Sequence, residues 1–163
     1  MTISVCIVDD HELVRQGISL ILGQTDDISL TDEYASVEDI LPMMKRVKWD
    51  VLLLDISMPG MNGLEGIRII QDVLPNLPIL MMTMHDESQF GIRAMQLGAS
   101  GYLTKDKAST DLLKAIRTVV DGKKYIGPEF SEMIAMNMFG DISSLPHERL
   151  SNREFDVMLL LAQ

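Results

Sequence analysis

Three carboxylates, a hydroxyl and an ammonium group fall at the ends of apolar runs. Asp9 and Asp10 follow Ile3–Val8, Asp55 follows Val51–Leu54, Thr83 lies at the end of the Ile79–Met82 run, and Lys105 follows Gly101–Leu103. If these runs are parallel strands of one sheet, their carboxyl ends share an edge, and ligands bind outside that edge where the strand order switches direction. The five side chains are then expected to converge in one cleft. Crowded carboxylates repel and hold their protons unless a cation joins them. Hard oxygen donors with room for water suit Mg²⁺, which takes one or two carboxylates and keeps waters for an incoming phosphate. A dication and an ammonium beside a carboxylate neutralise charge on a transferring phosphoryl group, and a threonine hydroxyl can donate to one of its oxygens. The chemistry these residues suit is phosphoryl transfer to or near Asp55.

The elements that must position them are legible as short apolar runs between amphipathic stretches. Ile3–Val8, Val51–Leu54 and Ile79–Met84 are too short for helices and too apolar for half-exposed strands, so they read as buried parallel strands. Ile28–Thr31 and Gly101–Leu103 are weaker runs that fit edge or short strands. Helical patterns lie near 12–23, 36–47, 63–74, 87–97 and 109–121, with Ser36 and Ser109 as N-caps and Gly98 and Gly122 as stops. Strand–helix alternation with right-handed crossovers predicts an α/β fold, a doubly wound five-stranded parallel sheet. Past Gly122 a further helix is expected over 128–139, then a turn-rich linker over 141–147. Ser151 with Glu154 three residues on forms a capping box that opens a last helix.

Composition narrows the class. The chain has 163 residues, 47% of them hydrophobic and 23% charged, which suits a globular domain and excludes wholesale disorder. A net charge of −10 argues against a nucleic-acid-binding surface on the chain itself. The single cysteine, Cys6, excludes an internal disulfide and fits a reducing cytosol, where it reads as a small core residue. No apolar run is long enough to cross a bilayer, and the start has no basic stretch, so neither a membrane anchor nor a signal peptide is expected. Methionine is frequent, 13 residues, and reads as adaptable core filler.

Asp9-Asp10, the run Asp55-Ile56-Ser57-Met58-Pro59-Gly60-Met61-Asn62-Gly63, Thr83, and the run Gly98-Ala99-Ser100-Gly101-Tyr102-Leu103-Thr104-Lys105 resemble the receiver domain of bacterial two-component response regulators. The likeness covers residues 3 to about 122 and includes each of that family's site positions. Leu150 to Met158 resembles the opening of a LuxR-type (NarL/FixJ-like) helix-turn-helix domain. The resemblance implies a flavodoxin-like receiver at 1–125, a linker with a helix at 126–149, and the start of the output domain at 150–163. It implies that Asp55 accepts a phosphoryl group from a sensor histidine kinase, and that Asp9, Asp10, Asp55 and the backbone carbonyl of Ser57 hold Mg²⁺. Lys105 would pair with one phosphoryl oxygen and Thr83 bond another. Tyr102 matches the switch aromatic that changes rotamer when Thr83 moves. The intact protein would regulate transcription as a phosphorylated homodimer. The 14 residues from Leu150 hold only the first helix of an output domain, so DNA contact is expected only through its missing part.

Other readings stand beside these. A phosphohydrolase of the haloacid dehalogenase type also uses an aspartyl nucleophile, but needs a second Asp two residues on, where this chain has Ser57; a turnover enzyme is therefore not expected. A stand-alone receiver acting only through protein contacts is the alternative that the Leu150–Met158 motif opposes. A flavin site would need a Ser/Thr/Gly-rich phosphate loop after the first strand, which is not there. Tyr102 can also be read as a half-buried edge tyrosine. His11, with no second histidine at a useful spacing, reads as a helix-start residue rather than a metal ligand. His85 reads mainly as a loop residue near the cleft mouth, Arg149 and Arg153 as solvated, and the apolar helix at 157–161 as prone to pack or associate.

Overall fold

Val51 to Asp55 and Ile79 to Thr83 are apolar at every position but the last, and each forms a strand with no exposed residue. Such strands are stable only with helices on both faces of the sheet. The computed structural model describes residues 1–84, 88–127, 130–132 and 135–136, the side chains of residues 88 and 89 excepted. It contains β1 (Ile3–Val8), α1 (Glu12–Leu22), β2 (Ile28–Tyr34), α2 (Val37–Ile40), β3 (Val51–Asp55), α3 (Gly63–Val73), β4 (Ile79–Thr83), α4 (Ser88–Gln96), β5 (Gly101–Thr104) and α5 (Ala108–Val120). All pairings are parallel, in the order β2-β1-β3-β4-β5. The chain leaves β1 for β2 on one side and returns past β1 to β3 on the other. The switch in direction therefore falls between the carboxyl ends of β1 and β3, where Asp9 and Asp55 stand.

Alternation along the strands sorts side chains into two layers. Val5, Ile7, Val51, Leu53, Leu80, Met82 and Leu103 pack with Ile18 and Leu22 of α1 and with Leu112, Ala115, Ile116 and Val119 of α5. Leu54 belongs to the opposite face: its methyl group lies close to Gly66 of α3, which itself touches Val37 of α2. Extended by two positions, the first face carries Asp9, Asp55 and Lys105, while Thr83 and Tyr102 fall on the second.

Several element boundaries differ from the sequence expectation, each for a local reason. The helix expected over 36–47 is one short turn, Val37–Ile40, continued by hydrogen-bonded turns over 41–46. Pro42 lacks the N–H that would bond the Glu38 carbonyl, and its ring crowds that carbonyl. Ser36 does cap this helix, its hydroxyl accepting from Asp39 N–H at 3.2 Å. Ser109 caps nothing: a 3₁₀ turn over Lys105–Lys107 leads directly into α5, whose N-cap is Lys107. β2 runs three residues beyond Thr31 because pairing resumes after a bulge there. The Thr31 hydroxyl donates to the Val5 carbonyl at 3.1 Å, and Asp32 accepts from the Trp49 indole at 2.7 Å. On the far edge, β5 is covered by Tyr125, whose N–H donates to the Ser100 carbonyl at 3.0 Å.

The chain divides into two units, Met1–Gly127 and Pro128–Gln163. In the second, residues 130–132 and 135–136 are helical, inside the helix expected over 128–139. His85, the linker turn at 141–147 and the helix expected from Ser151 lie outside the described residues. No helix among the described residues is long and apolar enough to cross a membrane.

The tightest approach in the fold joins α3 to the end of β3. A Cβ added at Gly63 would stand 2.2 Å from the Asp55 carbonyl oxygen and 3.0 Å from the Ile56 Cα, backbone atoms that cannot turn aside. Gly63→Ala is therefore expected to destabilise the domain by about 3 kcal/mol, through displacement of α3 from the sheet. Urea denaturation checks this; an unchanged midpoint would mean that α3 is free to slide along β3.

Candidate functional site

Asp55 is the last residue of the most buried strand, and the loop after it is anchored at both ends. Ile56 N–H donates to the Met82 carbonyl at 3.1 Å, extending the β3–β4 ladder by one bond, and Gly63 N–H donates back to the Ile56 carbonyl at 3.0 Å. Met58 is buried beneath the loop. Asn62 caps α3 by accepting from Glu65 N–H at 3.0 Å, and Glu38 accepts from Met61 N–H at 3.1 Å. The turn chemistry of the Pro59-Gly60 and Asn62-Gly63 pairs thus serves to hold the residues around Asp55. Ser57 N–H reaches Asp55 Oδ1 at 3.4 Å, placing its peptide next to the carboxylate.

The acid pair enters from β1. Asp9 N–H continues the β1–β2 ladder to the Tyr34 carbonyl at 3.0 Å, and the Asp9 side chain is 2% exposed. Asp10 is partly open to solvent at 28%. Lys105, beyond β5, crosses to both strands: its Nζ lies 2.7 Å from Asp9 Oδ2 and 3.3 Å from Asp55 Oδ1. Lys105 thus bridges the two buried carboxylates as a shared ion-pair partner. Two buried oxygens of the cluster, Asp10 Oδ1 and Asp55 Oδ2, have no hydrogen-bond partner. Of the five side chains expected in one cleft, Asp9, Asp10, Asp55 and Lys105 are the four that these contacts bring together.

Thr83 and Tyr102 are both buried, on the face opposite that cluster. The register pairs Met81 with Tyr102 and Thr83 with Thr104, so Thr83 lies one diagonal step from Tyr102 toward the carboxyl edge. The reading of Tyr102 as half-buried is corrected: it is 5% exposed, because the Tyr125 segment covers the sheet edge beside it.

His11 makes contacts beyond the helix-start position the sequence assigns it. It stands at the N-cap of α1 as expected of a helix-start residue, yet its side chain makes no cap hydrogen bond. Instead Nδ1 lies 2.9 Å from Asp9 Oδ1, 3.1 Å from Asp10 Oδ1 and 3.9 Å from Asp55 Oδ2. Its own N–H also donates to Asp9 Oδ1 at 2.8 Å, a tight turn that brings the ring over the carboxylates. Arg15, one helical turn on, donates to the Asp9 carbonyl at 2.5 Å. The His11 contacts to Asp9 and Asp10 are between sequence neighbours, while those of His11 to Asp55 and Arg15 to Asp9 follow from how α1 leaves β1. A separate cavity of about 420 Å³, lined by Trp49, Leu74, Pro78 and Val120 among others, opens at the opposite edge of the sheet, away from these groups.

Burial and the Asp9 charge push the Asp55 carboxyl up to about 7, with Lys105 opposing them. The folded chain thus keeps a proton on Asp55 between its ordinary 3.8 and about 7, where the unfolded chain has lost it. Stability from this group is full below about pH 4 and falls as pH rises toward 7. Asp55→Asn removes the penalty. In metal-free buffer the variant is expected to melt several degrees above the parent at pH 8, on the order of a few kcal/mol, with the gap closing toward pH 4. Thermal melts across that range check it, and a pH-independent gap would refute the buried-charge account.

Comparisons with known proteins agree with this geometry. The family described as response regulator receiver domain matches residues 5–117. The response regulator GacA of Pseudomonas aeruginosa is 35% identical over 161 residues, 98% of this chain and 75% of the relative. The response regulator UvrY of Escherichia coli K12 is 37% identical over 162 residues, 99% of this chain and 74% of the relative. A LuxR-family two-component response regulator from Aurantimonas superposes with a TM-score of 0.79 at 29% identity, over 85% of this chain and 99% of that one. With its five-stranded flavodoxin-like sheet and its buried acidic edge, the chain belongs to the response regulators of two-component systems and contains their receiver domain.

Proposed function

We propose that Asp55 is the phosphoacceptor, taking its phosphoryl group from the phosphohistidine of a sensor kinase. The observation that carries this reading is Asp55 Oδ2, a carboxylate oxygen in a side chain 2% exposed that has no hydrogen-bond partner, set beside an acid pair and an ammonium. An Asp55 oxygen attacks phosphorus as the bond from phosphorus to the kinase imidazole breaks, the electron pair leaving with the imidazole. Asp55 must be ionised to attack, and the Lys105 charge favours that form against burial and Asp9. Lys105 then shifts its remaining donors to a phosphoryl oxygen, and Thr83 donates to another.

Receiver domains bind Mg²⁺ at their acidic pocket, and the donor set here fits that cation: clustered hard carboxylate oxygens, two of them buried without partners. Asp9, Asp10, Asp55 and the Ser57 carbonyl are the groups assigned to hold it; when bound, Mg²⁺ supplies positive charge beside the phosphoryl oxygens. Phosphorylation adds roughly −1.5 to −2 charges at a strand end, drawing Thr83 inward and letting Tyr102 follow. The event is a single modification rather than a turnover, since Ser57 stands where a phosphohydrolase would carry its acid. We assign 1–125 to the receiver, 126–149 to the linker and 150–163 to the start of a LuxR-type output domain, through which a phosphorylated homodimer would contact DNA in the cytosol.

Incubation with Mg²⁺ and a small acyl phosphate, followed by intact mass, tests the acceptor. One added phosphoryl group is expected, absent in Asp55→Asn and absent without Mg²⁺. A folded chain that binds Mg²⁺ but gains no mass, or an Asp55→Asn variant that gains as much, would refute it.

A further inference from the structure

The imidazole of His11 sits over the carboxylates as a cation ligand would, and the metal reading above uses oxygen donors only. Nδ1 of His11 and one oxygen each of Asp9, Asp10 and Asp55 lie within 4.8 Å of one another, a span that one ion can bridge. Two facts separate this from a chance acidic patch. The Asp55 side chain is 2% exposed and presents an unpartnered oxygen, Oδ2, toward His11. The His11 ring leaves its N-cap role unfilled to face the cluster, with Nδ1 at 2.9 and 3.1 Å from oxygens of two different carboxylates. The ring remains 52% exposed, so it can shift by a fraction of a rotamer to admit an ion between itself and the acids.

We propose that His11 is a specificity-determining ligand that turns this oxygen site into a mixed nitrogen–oxygen site, favouring a borderline first-row dication such as Co²⁺ over Mg²⁺. The inference rests on the assignment of Asp9, Asp10 and Asp55 as the cation site. Mg²⁺ is hard and takes oxygen and water, whereas imidazole nitrogen suits the transition ions and strengthens their binding in the order Mn²⁺, Fe²⁺, Co²⁺, Ni²⁺. An exposed imidazole on three carboxylates therefore adds affinity for Co²⁺ and little or none for Mg²⁺. In the absence of a cation, the same ring hydrogen-bonds Asp9 and competes with Mg²⁺ for it.

Calorimetric titration of the full chain with MgCl₂, MnCl₂ and CoCl₂ reads the preference directly. The expected result is that His11→Ala lowers Co²⁺ affinity at least tenfold, leaves Mg²⁺ affinity equal or higher, and so collapses the Co²⁺/Mg²⁺ ratio. Pulsed EPR of the Mn²⁺-loaded chain should show a directly coupled nitrogen that His11→Ala removes. A ratio that is the same in both chains, with no nitrogen coupling, would overturn the proposal and leave the carboxylate site standing, His11 then being only a hydrogen-bond partner of Asp9. Dication binding that survives Asp10→Asn with Asp55→Asn unchanged would overturn the site assignment itself, and this proposal with it.

Discussion

The domain is organised around a charge conflict: Asp9 and Asp55, each 2% exposed, share one ammonium, Lys105. Burying two carboxylates near each other is costly, and one ammonium at 2.7 and 3.3 Å offsets only part of that cost. Burial and the Asp9 charge therefore still push the Asp55 carboxyl up to about 7 against the pull of Lys105. A core optimised only for stability would place apolar residues there. The rest of the fold supplies the rigidity that keeps the conflict from relaxing: β3 is buried at every position, and α3 presses its first glycine against the Asp55 carbonyl.

Why the groups meet is a matter of register. β1, β3 and β5 contribute Asp9, Asp55 and Lys105 from one face, each two residues past an apolar residue of the same core layer: Ile7, Leu53 and Leu103. The parallel sheet brings all three to one edge, and the order switch between β1 and β3 opens the space above them. Lys105 must span from β5 past the end of β4, which its long stem permits. Arg15 and His11, on the first turns of α1, close the side away from Lys105.

Much of this was legible because burial writes itself into composition. Unbroken runs such as Val51–Leu54 state that both faces are covered, and the polar residue ending each run states where the edge lies. The α2 region was read too long because its apolar spacing is helical while Pro42 is not, and a single missing N–H outweighed the pattern. Ser109 was read as a cap from residue type alone, whereas the chain turns earlier, at Lys105. His11 was read as a helix-start residue, and it does stand at the N-cap of α1; its nearness to Asp9 and Asp10 is local, whereas its approach to Asp55 is set by the sheet order and carried by no local motif.

The two faces of the sheet constrain how a change at Asp55 can spread. Its acidic partners lie on the α1/α5 face, while Thr83 and Tyr102 lie on the other, so a signal between them must pass around the strand ends and not through the sheet. Strands buried and packed as tightly as β3 and β4 do not bend to transmit a sub-ångström shift. The far end of α4 is pinned: the Gln71 amide donates to the Gly98 carbonyl at 2.7 Å, Ala99 N–H to Ala94 at 2.9 Å, and Ser100 N–H to Ile79 at 2.8 Å. Gly98, at φ +111°, makes that closure possible, and an added Cβ there would strike Gln71. These bonds fix the junction between α4 and β5 to α3 and β4.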